Sequence, residues 1–100
     1  MLRTKYLTYH ESARGLVEHS SMYRNEVENA LERFHNLDFG LISKEDLIDN
    51  TETLASENGM LVGRYETIFG GYTNIIHNIN FGKTIITFVH VPVKCSYFGI

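Results

Sequence analysis

Residues 35–50 read HNLDFGLISKEDLIDN, which sets Asp38, Glu45, Asp46 and Asp49 between His35 and Asn50. Such a cluster is either the acidic lining of a site or the beginning of a helix. The choice determines how the rest of the chain is read. The spacing favours a helix. Ser43 is followed three residues later by Asp46, close to a capping box, and Ile42 and Leu47 stand at the spacing of a hydrophobic staple. Glu45 and Asp46 fall in the first turn, where the helix dipole favours negative charge. Leu47, Ile48, Thr51, Leu54 and Ala55 are then expected on the buried face, and Gly59, after Asn58, as a left-handed C-terminal cap.

On the N-terminal side, SSMYRNEVENALERFHN (20–36) also reads as a helix. Tyr23, Val27, Ala30, Leu31 and Phe34 recur at three- and four-residue steps, with Ser20 or Ser21 as the N-cap. Farther back, RTKYLTY (3–9) alternates weakly, as an edge strand does. On the C-terminal side the period changes to two. MLVGRYETIF (60–69) reads as a strand with Gly63 at a bulge, Gly70-Gly71 as a two-residue hairpin turn, and YTNIIHNIN (72–80) as a second strand. NFGK is a second turn. TIITFVHV (84–91) is a third strand, apolar on both faces and so expected to be well covered, with Pro92 ending it. The expectation is an α+β domain over residues 1–100: two helices packed on a three- or four-stranded antiparallel β-meander, in the order (β)ααβββ.

One hundred residues suffice for a single domain with one modest core. No apolar run approaches a membrane span, the N-terminus lacks the apolar centre of a secretory signal, and Cys95 has no cysteine to pair with. These features point to a reducing cytoplasm. The net charge of −3 is uneven: residues 21–60 carry nine acids against Arg24, Arg33 and Lys44, a net of −6, while both flanks are net positive. An acidic block repels phosphates, so direct nucleic-acid binding is disfavoured, and the block suits a partner with a basic surface.

Glu45, Asp49 and Glu52 share one helix face, an arrangement that could hold a cation or do acid–base work. The same face is where any amphipathic helix puts its charges, and it is read as a solvated or partner-binding wall together with Glu26, Glu28 and Glu32. Asp38-Phe39-Gly40 resembles a kinase magnesium triplet without the accompanying motifs. It is read as a turn acceptor, an anchor and a turn glycine. The five histidines show no metal-ligand spacing; pairing the last strands about Phe81-Gly82 would set His77 opposite Ile86 and His90 opposite Thr73. Cys95 is read as a packing residue. No catalytic residue, metal or cofactor is expected.

Taken in order, the motifs Arg14-Gly15, Asp38-Phe39-Gly40, Ser43 with Glu45-Asp46, Asn50, Gly59 to Tyr65, Ile75-Ile76 and Thr84 to Pro92 carry a resemblance. The chain resembles a family of small proteins, without an assigned activity, from bacterial plasmids, integrative elements and phages. That family shows an R-G … D-W-G … S-x-E-D-K … N pattern. Phe39 stands for the tryptophan, Leu47 for a common lysine, and Val93-Lys94 for an acidic-aromatic ending. The resemblance implies a phage or mobile-element origin, and with it the cytoplasm of a bacterial host. The functional expectation is therefore a non-enzymatic binding protein. Its concrete form is an inhibitor of a host nucleic-acid-guided defence complex (anti-CRISPR type, against a CRISPR effector) that offers Glu26, Glu28, Glu32, Glu45, Asp49 and Glu52 to a Lys/Arg channel. The alternative is a small enzyme or ligand-binding domain built on Asp38, Asp46 and Asn50. A third possibility is homo-oligomerisation through a strand edge.

Overall fold

The computed structural model describes residues 4–68 and 70–90. The elements run β1 (Tyr6–Tyr9), α1 (Glu11–His19), α2 (Ser21–His35), α3 (Lys44–Ser56), β2 (Met60–Glu66), β3 (Gly71–Asn78) and β4 (Lys83–His90). They form one mixed sheet of order β1-β4-β3-β2, in which β1 pairs with β4 in parallel and the other two pairs are antiparallel. The antiparallel meander under two helices is thus corrected in two respects: among the described residues there are three helices, and one edge of the sheet is parallel. The expected end of the last strand at Pro92, the tail VKCSYFGI and Cys95 lie outside the described residues.

The unforeseen helix is α1. Its apolar stripe is only Ala13, Leu16 and Val17, and of these Ala13 alone is fully buried. Gly15 within it, a poor helix former, weakens the local signal further. What holds α1 is tertiary: it packs against α2 and β4, and Ser12 Oγ accepts from the Phe88 backbone N–H at 3.0 Å. By packing there it returns the chain from β1 to α2 and leaves β1 lying beside β4. Because β1 covers its outer edge, β4 has a strand neighbour on each side.

The sheet buries one face. Leu61, Gly63 and Tyr65 of β2, Thr73, Ile75 and His77 of β3, and Thr84 and Ile86 of β4 are all buried on it. Tyr23, Val27, Ala30 and Phe34 of α2 pack against these residues. Tyr23 brings a polar tip into the core and places it 2.9 Å from Thr73 Oγ1, while its ring meets Phe88 edge-on at 5.7 Å.

Strand register differs from the sequence expectation by two residues. Asn78 pairs with Lys83 across a four-residue turn, so His77 faces Thr84 and His90 faces Gly71. A shift of two preserves which side chains point inward. It nevertheless changes their neighbours: His77 Nδ1 and Thr84 Oγ1 share a 2.8 Å hydrogen bond, and Thr84 Oγ1 lies 2.9 Å from Thr4 Oγ1. The first hairpin also has a longer turn than the Gly70-Gly71 pair, because Gly71 already belongs to β3. Gly63 is no bulge. It pairs regularly with Ile75, and a Cβ there would meet Tyr65 Oη and the Phe34 ring at under 3 Å.

Two outcomes follow for stability. Gly63→Ala must displace two packed rings and is expected to lower unfolding free energy by about 1–3 kcal/mol in urea titrations. Burial, with a smaller contribution from the charge of His35, holds the pKa of His77 below its ordinary value of 6.5. Between that value and the folded-state pKa the unfolded chain binds more protons. The His77 contribution to stability therefore falls as pH drops below 6.5 and levels off beneath the folded-state pKa. Comparing melts of the wild type and His77→Gln over this window isolates that slope.

Candidate functional site

The segment between α2 and α3 is built around the outer edge of β2. Leu37, at φ 66°, breaks α2, and Asp38 N–H donates back to the Arg33 carbonyl at 2.9 Å. The Asp38 carboxylate pairs with Arg33 Nε at 2.7 Å and accepts from Gly40 N–H at 3.2 Å. The Arg33 bond, then the Gly40 bond, hold Asp38 below the usual carboxylate range. Its backbone carbonyl accepts from Tyr65 Oη at 2.7 Å. Burial, and then the neighbouring Asp38 charge, push the Tyr65 phenol well above its ordinary pKa. Phe39 is buried edge-on to Phe34 at 5.5 Å.

The chain then runs beside β2. Arg64 N–H donates to the Phe39 carbonyl at 3.0 Å and Leu41 N–H to the Arg64 carbonyl at 2.7 Å. Gly40, at φ 72°, is required there, because a Cβ would collide with the Arg64 carbonyl oxygen.

Asn50 does the same work one step farther along β2. Its Oδ1 accepts from Val62 N–H at 3.1 Å and its Nδ2 donates to the Val62 carbonyl at 2.8 Å. A single amide thus replaces a neighbouring strand at Val62, and Asn50 is the one fully buried residue of α3.

This placement turns α3 about its axis relative to the sequence expectation. The inward face is centred on Asn50 with Leu54 and Thr53 half-buried, whereas Leu47, Ile48, Thr51 and Ala55 are exposed. Leu47 is 50% and Ile48 58% accessible. Ser43 caps the helix as expected, its hydroxyl accepting from Asp46 N–H at 3.0 Å. At the other end Glu57 takes the left-handed conformation, at φ 55°, and Gly59 follows at φ 108°.

The six acids expected on a partner-binding wall separate into two groups. Glu45, Asp49 and Glu52 are exposed on α3, interleaved with Leu47 and Ile48. Glu28 and Glu32 are exposed on α2. Glu26 is half-buried: its Oε2 accepts from Ile68 N–H at 3.0 Å, where it closes the turn after β2. Asp38, Asp46 and Asn50, the trio of the alternative reading, each meet different partners. Only Asp46 borders a groove, of about 260 Å³, that lies between the start of α3 and the sheet face opposite the core. Ile42, Val62, Arg64, Ile76 and Thr87 also line it. Arg64 is held there by Asn74 Oδ1 at 3.2 Å and by the Tyr72 ring, 5.2 Å below its guanidinium carbon. Sequence reasoning missed Arg64 and Asn74, which are joined only by the observed register of β2 and β3.

Among the described residues no three His, Cys, Asp or Glu side chains group as a metal site would require, and no helix is long and apolar enough to cross a membrane. No protein-family model matches this chain, and no curated protein or solved structure matches it.

Asn50→Leu would leave Val62 N–H and C=O without partners. The expected loss is about 1–3 kcal/mol for each group deprived of its bond, toward the lower end because Val62 is half-exposed. Urea titration with amide exchange at Val62 checks it: that amide should exchange faster in the variant, even at matched global stability.

Proposed function

We propose that this protein works by binding another protein, with exposed α3 as the recognition element. The observation that carries the reading is the pattern on that helix. Ile48 is more than half exposed, with Glu45 three residues before it and Glu52 four residues after it, so the three side chains share one ridge. Leu47 and Asp49 flank it. An exposed aliphatic residue among acids fits an apolar cleft ringed by Lys or Arg. The aliphatic contact supplies affinity and the charges supply approach and orientation.

The concrete form is a phage or mobile-element inhibitor that occupies the nucleic-acid channel of a host defence complex. Such channels are lined with Lys and Arg, as CRISPR effectors require for their guide and target strands. Support comes from the acidic middle of the chain and the family resemblance of its motifs. Glu28 and Glu32 extend the negative potential on α2. Glu26 is left out of the docking surface because its carboxylate is engaged by the turn after β2.

A second reading draws on the groove. Asp46 and Arg64, facing one apolar-walled space of about 260 Å³, could hold a small zwitterionic ligand. Asp38 and Asn50 do not line that groove, so the ligand reading is narrowed to Asp46 and Arg64.

The test uses a purified guide-loaded effector and measures target cleavage against added protein. The wild type should inhibit, less so at high salt. A Glu45→Lys/Asp49→Lys/Glu52→Lys variant, and separately Ile48→Asp, should weaken inhibition by about tenfold or more at unchanged melting temperature. Inhibition indifferent to both variants and to salt defeats the α3 reading. Absence of inhibition, with Arg64→Ala abolishing binding of a small ligand in calorimetry, transfers the function to the groove.

A further inference from the structure

The two edges of the sheet are treated differently. The outer edge of β2 is closed by Asn50 and by the Phe39–Leu41 backbone. The outer edge of β1 faces no strand among the described residues. In a parallel pair, alternate residues turn both backbone groups to the neighbouring strand. Tyr6 and His10 do so toward β4, donating to Gly82 and Ile86 at 3.1 and 2.8 Å. Thr8 shares their parity. Leu7 and Tyr9 therefore direct their N–H and C=O groups outward. Arg14 Nη2 reaches the Tyr9 carbonyl from that free side at 3.2 Å.

The geometry points to a dimer in which β1 pairs antiparallel with β1 of a second copy, about a two-fold axis at Leu7. In this register Leu7 opposes Leu7 of the other copy and exchanges two hydrogen bonds with it. Tyr9 opposes Lys5, and Tyr9 N–H donates to the Lys5 carbonyl, once in each direction. This register also sets Lys5 N–H against Tyr9 C=O of the other copy. Both are already engaged within the single chain, by Gly82 at 2.7 Å and by Arg14. The free groups of the edge are thus complementary to themselves.

The side chains agree with a second copy as the occupant. Leu7 and Tyr6, 44% and 63% accessible, would be covered across the axis. Because the β2 edge is closed, pairing stops at two copies and gives one continuous eight-stranded sheet, not a filament. Its order places the two α3 ridges at opposite ends.

Sedimentation of the full chain up to millimolar concentration, with amide exchange read by NMR, tests this. The expected result is a dimer at high concentration in which the Leu7 and Tyr9 amides slow as dimer forms, while Tyr6 and Thr8, already bonded to β4, keep their rates. Leu7→Lys sets like charges face to face at the axis. It should raise the dimer dissociation constant about tenfold or more with an unchanged circular dichroism spectrum. A chain that stays monomeric throughout overturns the proposal. So does a dimer whose formation leaves Leu7 and Tyr9 exchange unaltered, or a folded Leu7→Lys variant that dimerises as the wild type does. Should that variant fail to fold, the wild-type exchange pattern alone decides.

Discussion

The architecture depends on how the free side of β2 is closed. A strand at the margin of a sheet leaves N–H and C=O groups that must find water or a partner. Here the partner is one buried asparagine and a short piece of backbone. Asn50 satisfies both groups of Val62, and Phe39 to Leu41 satisfy those of Arg64. Three features follow from that single arrangement. Gly40 must be glycine because the two backbones touch; Phe39 is drawn into the core beside Phe34; and α3 is anchored by a polar contact and not by its leucines.

The last of these shapes the surface. A helix fastened through Asn50 has no need to bury Leu47 and Ile48, and the acids Glu45, Asp49 and Glu52 stand among them in solvent. The features that make α3 a weak contributor to the core also leave its aliphatic and acidic side chains in solvent. Among the described residues the opposite margin of the sheet carries no such closure: β1 is short and parallel to β4, and Arg14 reaches it at Tyr9. One margin is sealed from within the chain, and the other faces no strand among the described residues.

The candidate site was legible in its pieces. Asp38, Gly40, Ser43 and Asn50 stood out in the sequence, and Ser43 does cap α3 through Asp46 N–H. Their joint purpose was not legible, because it is exerted on Val62, Arg64 and Tyr65, which lie in a strand and meet them only after folding. Periodicity also misplaced the inward face of α3. Counting apolar residues selects the stripe through Leu47, Thr51 and Leu54, whereas a buried amide that completes a strand's hydrogen bonding outweighs exposure of two aliphatic side chains.

Local pattern was enough to establish that two helices lie at about 20–36 and 43–58 and that three strands follow, since those segments carry strong periodicity and their own caps. The two-residue error in pairing β3 with β4, for its part, leaves side-chain direction unchanged. Three matters lay beyond local pattern: the helix α1, the parallel placement of β1 beside β4, and the orientation of α3. Each is set by contacts between segments far apart in the chain. α1 has too small an apolar stripe to declare itself without α2 and β4 to pack on. β1 is four residues long, and its partner lies some eighty positions away. α3 takes its orientation from the unpaired backbone of a strand that its own sequence cannot show.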